Sequence, residues 1–155
     1  MSGRPTKPNI FEPDWDEERD QSPFRWLRSR IGIQAATEKL GASLFELAPG
    51  AATFPLHAHF ANEELLFVLS GMPTLTDLEG ERVLEEGEAV GFAAGEAGAH
   101  RIDNHTEEPV RVLIVSTMLA PEINRMYESG TYWIRDYPPG GDADGAELDL
   151  HTRPT

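Results

Sequence analysis

The sequence contains no cysteine. That excludes a disulfide framework and any thiolate metal site, so a bound metal must be held by nitrogen and oxygen. Basic residues are scarce: 13 Lys and Arg stand against 27 Asp and Glu, a net charge of −14. Such a balance repels nucleic-acid phosphates and anionic lipid headgroups unless the positive residues cluster. They cluster only weakly, at Arg25, Arg28 and Arg30, so no nucleic-acid or membrane partner is expected and the acidity reads as a solubility device. Long apolar runs are also missing; none approaches the roughly 20 residues of a membrane-spanning helix. Met1-Ser2-Gly3-Arg4-Pro5 lacks the apolar core of a signal peptide, and a soluble, cytoplasmic protein is expected. The 155 residues are enough for one domain with its own core.

Residues 1–23 hold five prolines or glycines and an acidic run at Asp14, Asp16, Glu17, Glu18 and Asp20. With no sustained period they read as an extended arm, which Ile10, Phe11 and Trp15 could dock on its own barrel or a neighbour's. From Phe24 the expectation is a β domain running to residue 137. Strands are expected at Phe24–Arg30, Ser43–Leu47, Ala52–His59, Glu64–Leu69, Pro73–Thr76, Arg82–Leu84, Glu88–Phe92, Ala99–Asn104 and Val110–Thr117. Gly32–Gly41 reads as a connection with a little helix. Short apolar runs between turn residues indicate a sandwich or barrel closed by antiparallel pairing. Val110–Ser116 is apolar at nearly every position, as in a central strand covered on both faces. Pro121–Tyr127 reads as one helical turn, Thr131–Tyr137 as a last strand, and residues 138–155 as an acidic, flexible tail.

Chemistry concentrates in His57-Ala58-His59 and the Glu63-Glu64 pair after it. Residues two apart in a strand share a face and lie about 6.6 Å apart, so His57 and His59 point the same way. If Phe60–Glu63 forms a turn, Glu64 on the adjacent antiparallel strand can sit opposite them, with Leu66 and Val68 on the same face. A third imidazole must come from a distant strand, and His100 follows the glycine-rich loop Gly95-Glu96-Ala97-Gly98. Three neutral imidazoles and one carboxylate bind a divalent transition metal and leave positions open for a ligand. Each element alone has a plainer explanation: an isolated His-x-His is usually structural, paired glutamates usually a solvated turn, and a lone histidine a loop cap.

Taken together, these residues resemble the two motifs of a small single-domain cupin. The first motif runs glycine, five residues, His-x-His, three or four residues, Glu, six residues, Gly; His57, His59, Glu64 and Gly71 match its latter part, and the spacing to Gly71 selects Glu64 over Glu63. The second runs glycine, five residues, Pro-x-Gly, two residues, His, three residues, Asn; Gly87, Gly95, His100 and Asn104 match it. The chain departs in three places. Six residues separate Gly50 from His57, Ala93 replaces the proline, and four residues separate Gly95 from His100.

The resemblance covers about residues 42–118. It implies an all-β fold, a double-stranded β-helix or jelly-roll barrel. It also implies one divalent transition metal, zinc, iron, manganese or nickel, on His57, His59, Glu64 and His100. Such a centre suits a small oxygenated molecule, either as substrate of an isomerase, epimerase or dioxygenase-type reaction or as the ligand of a non-catalytic sensing barrel. No general acid or base is singled out by spacing: Arg101 should point away from the metal and His105 lies in an exposed turn. A storage role is disfavoured. Small cupins commonly pair through sheet edges, and a homodimer is expected.

Overall fold

A computed structural model describes residues 7–137 and the backbone of Glu147–His151. Its strands, in chain order, are β1 (Glu17–Gln21), β2 (Phe24–Ser29), β3 (Leu40–Leu47), β4 (His57–His59), β5 (Glu64–Ser70), β6 (Thr74–Thr76), β7 (Glu81–Val83), β8 (Ala89–Phe92), β9 (Arg101–Asp103), β10 (Val110–Thr117), β11 (Glu122–Met126), β12 (Thr131–Arg135) and β13 (Glu147–His151). One helical turn, α1 (Ile31–Gln34), joins β2 to β3, and a 3-10 turn covers Glu96–Gly98. The fold is all-β, with antiparallel pairing throughout the named strands.

One wall of the barrel is a six-stranded sheet in the order β1-β2-β3-β10-β5-β8. Against it stand a four-stranded sheet, β13-β12-β11-β4, and a three-stranded one, β7-β6-β9. Single bridges, Ala52↔Asp103 and His57↔His100, tie the chain around β4 to that around β9.

The core follows from alternation along three neighbouring strands. Phe45 and Leu47 on β3, Leu66 and Val68 on β5, and Val110, Val112 and Ile114 on β10 occupy every second position and share one face. Leu75, Leu84 and Ile102 meet them from the three-stranded side. Full burial of a side chain of this size contributes about 1.5–3 kcal/mol, so this half of the barrel is the stabilising half. Trp26 closes it, edge-on to Phe45 at 5.4 Å, with its indole N–H donating to the Thr53 carbonyl at 2.9 Å. The other half, between β3 and β10 on one side and β4, β11 and β12 on the other, is not filled and forms a cavity.

Several expectations are revised by these elements. Glu17–Gln21, read as arm, pairs residue for residue with β2; Trp15 lies under the Arg111 guanidinium of the same chain, 5.4 Å from its carbon. Pro121–Tyr127 is no helical turn but carries β11, between β4 and β12. The strand expected over Ala52–His59 shrinks to His57–His59, because Pro55 can donate no ladder hydrogen bond. β10 is central, as expected, but its burial alternates, so only one of its faces is fully covered. Backbone residues 147–151, within the expected tail, form β13 beside β12; residues 138–146 and 152–155 lie outside the described residues.

Candidate metal centre

The two halves of the centre meet through the main chain. The His57 amide donates to the His100 carbonyl at 3.2 Å and the His100 amide returns a bond to His57 at 2.9 Å. The two residues therefore face each other as a hydrogen-bonded antiparallel pair, which holds their rings 4.8 Å apart. His59, two residues along β4 and on the same face, sits 5.0 Å from the His57 ring. Glu64 opens β5, opposite Phe92 of β8, and Phe92 stacks flat on His100 at 3.7 Å.

The ring nitrogens are oriented individually. His57 Nδ1 lies 2.8 Å from the Pro55 carbonyl and His100 Nδ1 2.8 Å from that of Gly98. A carbonyl only accepts, so both Nδ1 atoms carry the proton and both Nε2 atoms present lone pairs when the rings are neutral. Gly98 is needed for this approach, since a Cβ there would fall 1.9 Å from the Ala93 carbonyl oxygen. His59 Nδ1 is 2.8 Å from the Asn124 amide and 3.4 Å from Glu122 Oε2, leaving its Nε2 3.5 Å from Glu64 Oε2. His100 Nε2 is 3.1 Å from the same oxygen. Ligand atoms of His57, His59 and Glu64 all lie within 4.8 Å of one another.

Two of the donors, His57 and Glu64, have the protonation state that metal binding needs, whereas His59 is shifted the other way. Burial pushes the His57 pKa down to about 3, and the neighbouring His100 and His59 rings push the same way, so His57 is neutral near pH 7. For Glu64, burial works upward but is outweighed by the adjacent His100 and by the His59 and His57 rings, and its pKa falls to about 2. Burial also opposes a charged His59, yet the Glu122 hydrogen bond and the Glu64 and Glu122 charges raise its pKa. Glu122, in turn, is held below the usual carboxylate range, against its own burial, by His59, Asn62 and the Ala61 amide. A neutral imidazole Nε2 with its proton on Nδ1 and an ionised carboxylate oxygen 3.1 Å away both turn lone pairs to the space between them, and a cation there would offset their repulsion. A proton or a metal ion fills that role, and the all nitrogen-and-oxygen set fits a divalent transition metal.

All four residues expected from the sequence are thus gathered at one place, and Arg101 and His105 are outside it: Arg101 pairs with Asp103 at 3.0 Å and His105 is exposed. Sequence reasoning missed the layer behind the imidazoles. Glu122, fully buried, accepts from the Phe60, Ala61 and Ile123 amides at 3.1, 3.0 and 3.0 Å and from the Asn62 side chain. Carboxylates in this position behind a metal-binding imidazole fix its tautomer and raise its basicity. No sequence pattern marks this layer: Glu122, Asn124 and Met126 are the buried positions of β11, but two of the three are polar.

The cluster forms the floor of a cavity of about 610 Å³, walled by Phe45, Phe54, Met118, Met126 and Trp133 among others, with Arg19, Arg28, Arg30 and Arg135 on its lining. No helix among the described residues is long and apolar enough to cross a membrane.

A two-walled antiparallel barrel with histidines and a glutamate clustered inside is the architecture of the double-stranded β-helix class. Residues 43–116 match the model of the cupin domain, and the chain contains a cupin domain. Among solved structures, it resembles a provisionally named sugar phosphate isomerase from Acidithiobacillus ferrooxidans at 24% identity and a TM-score of 0.74, covering 82% of this chain and 76% of that one. A sugar phosphate isomerase of the cupin superfamily from Silicibacter pomeroyi is 26% identical with a TM-score of 0.72, over 81% and 76% of the two chains. A polyketide cyclase from Streptomyces resistomycificus, 21% identical over 59% of this chain and 64% of that one with a TM-score of 0.53, shares the fold. No curated protein sequence matches.

Proposed function

We propose that His57, His59, Glu64 and His100 hold one divalent transition metal at the floor of the cavity, and that the protein acts there on a small oxygenated molecule. The observation behind this is the convergence of Glu64 Oε2 with the His100 and His59 Nε2 atoms, 3.1 and 3.5 Å away, while Nδ1 of each ring is engaged by the protein. A bound ion would supply Lewis acidity toward a carbonyl or hydroxyl oxygen of the ligand. The chain's own residues set the rest. Phe92 and the Gly98 carbonyl fix the His100 ring, Glu122 and Asn124 fix His59, and the aromatic wall limits water around the ligand. The relative at 26% identity is named a sugar phosphate isomerase, which makes isomerisation of a sugar phosphate the reaction to test first.

Elemental analysis of the purified protein beside a His57→Ala/His100→Ala double variant tests the centre. Wild type should carry about one transition-metal ion per chain, and the variant should carry almost none, while His105→Ala, in the exposed turn, retains it. Metal held equally by wild type and double variant defeats the assignment. Turnover of a panel of sugar phosphates by the metal-loaded protein separates an enzyme from the second reading, a barrel that binds its ligand without converting it. That reading is favoured by the inner carboxylates, because Glu64 faces the imidazoles and Glu122 is occupied by backbone amides, leaving neither free as a base.

A further inference from the structure

We infer that Arg135 anchors an oxyanion, a phosphate or carboxylate group, of the molecule that enters the cavity. The inference deepens the proposed ligand-binding function of the cavity and rests on it. It starts from a contrast of charge: the chain carries −14 overall, yet four of its 13 basic residues line this one cavity, where Glu64 is the sole carboxylate among the described residues of the lining.

Three of the four arginines have partners. Arg28 meets Glu17 at 3.1 Å and donates to Ser43 Oγ at 3.0 Å. Arg30 meets Asp16 at 3.2 Å. Arg19 donates to Gln21 at 3.3 Å and lies over Phe24. Arg135 makes no hydrogen bond or ion pair among the described residues, and its Nε is buried without a partner. Its guanidinium lies over the Trp133 ring at 5.1 Å and near Tyr137 at 5.8 Å, contacts that hold the plane while leaving its N–H edge unused.

Register puts that edge on the side of the metal centre. β4, β11 and β12 are neighbours, with Asn124 opposite both His59 and Trp133 and Glu122 opposite Arg135. Directly opposed residues share a face, and so do residues two apart. His57, His59, Asn124, Trp133 and Arg135 therefore all project from one face of the sheet, the cavity face. Glu122 is the carboxylate placed to neutralise Arg135, but its oxygens are taken by the Phe60, Ala61 and Ile123 amides and Asn62. Two strand spacings and one two-residue step separate the Arg135 and His59 Cα atoms by roughly 12 Å, room for a small molecule with one end at the metal and an anionic end at Arg135. A guanidinium fork matches the paired oxygens of phosphate or carboxylate.

The test titrates inorganic phosphate, ribose 5-phosphate, ribose and malate into metal-loaded wild type, Arg135→Gln, Arg135→Lys and, as a surface control, Arg82→Gln, at physiological salt, with metal content measured in each. Wild type and R82Q should bind phosphate and ribose 5-phosphate, the latter more tightly than ribose. R135Q should weaken both by about 10- to 100-fold with unchanged metal content and an unchanged melting temperature without anion, and R135K should recover part of the loss. Malate binding that is equally Arg135-dependent and tighter than phosphate supports the anchor and identifies its group as a carboxylate. Equal phosphate affinity in wild type and R135Q, an equal loss in R82Q, or loss of metal from R135Q overturns the inference. A wild type that holds metal but binds neither anion defeats Arg135 alone; a wild type without metal that still binds phosphate through Arg135 defeats the metal reading alone.

Discussion

At Glu64, His57 and His59 the fold places three titrating groups in contact, and the signs of their shifts govern how the metal-free protein responds to acid. His57 titrates near 3 when folded and near its ordinary 6.5 when unfolded. Between those values the unfolded chain holds the extra proton, so stability falls as pH drops from 6.5 toward 3. Glu64 adds loss in the same direction between its ordinary 4.5 and about 2. His59 has the opposite shift: it stabilises fully below 6.5, and that stability is lost as pH rises through its raised pKa. Metal-free protein should therefore be most resistant to urea near pH 6.5 and weaken on the acid side, each pKa unit being worth about 1.4 kcal/mol before relaxation. A midpoint that stays flat from pH 6.5 to 4, or one as acid-sensitive in His57→Ala as in wild type, would contradict this account.

Among the elements, the turn after β9 shows how a motif residue can serve structure alone. Asn104 is fully buried; its Nδ2 donates to the Leu47 and Glu108 carbonyls at 3.2 and 2.8 Å, and its Oδ1 accepts from the Thr106 amide and hydroxyl at 2.9 and 2.7 Å. Removing such a group leaves buried partners unsatisfied at about 1–3 kcal/mol. Asn104→Ala should lower the melting temperature by several degrees, about 4 °C per kcal/mol for a domain of this size, without changing metal content. Loss of metal at unchanged melting temperature would show that the residue belongs to the centre instead. The elements also explain what could be read in the sequence. His57 and His59 were legible because strand parity puts alternate residues on one face, and β3, β5 and β10 because their buried faces are apolar. β11 was not, because its polarity is inverted: Glu122 and Asn124 point inward while Ile123 is 37% exposed, the reverse of an ordinary amphipathic strand. Arg135 was hidden for the same reason, since a wall that faces a ligand cavity needs no apolar alternation.

For the molecule as a whole, the six-stranded sheet ends on β1 and β8, whose outer edges pair with no other strand among the described residues, and Phe11 ahead of β1 is 75% exposed. An open edge beside an exposed aromatic favours a two-fold pairing of chains, and light scattering after size exclusion should give a homodimer that Phe11→Asp shifts toward monomer. A monomeric full-length protein at all concentrations would rule this out. The paired amides of His57 and His100 have one more consequence. They join positions 43 residues apart in the chain through a single isolated bridge, so the ion-binding geometry exists only once β4 and the segment leading into β9 have come together. Contacts that close long loops form late, after local pairing has reduced the entropy they cost. An ion held by these residues would be taken up in refolding only after the two segments have met, so metal uptake would report that closure as it happens.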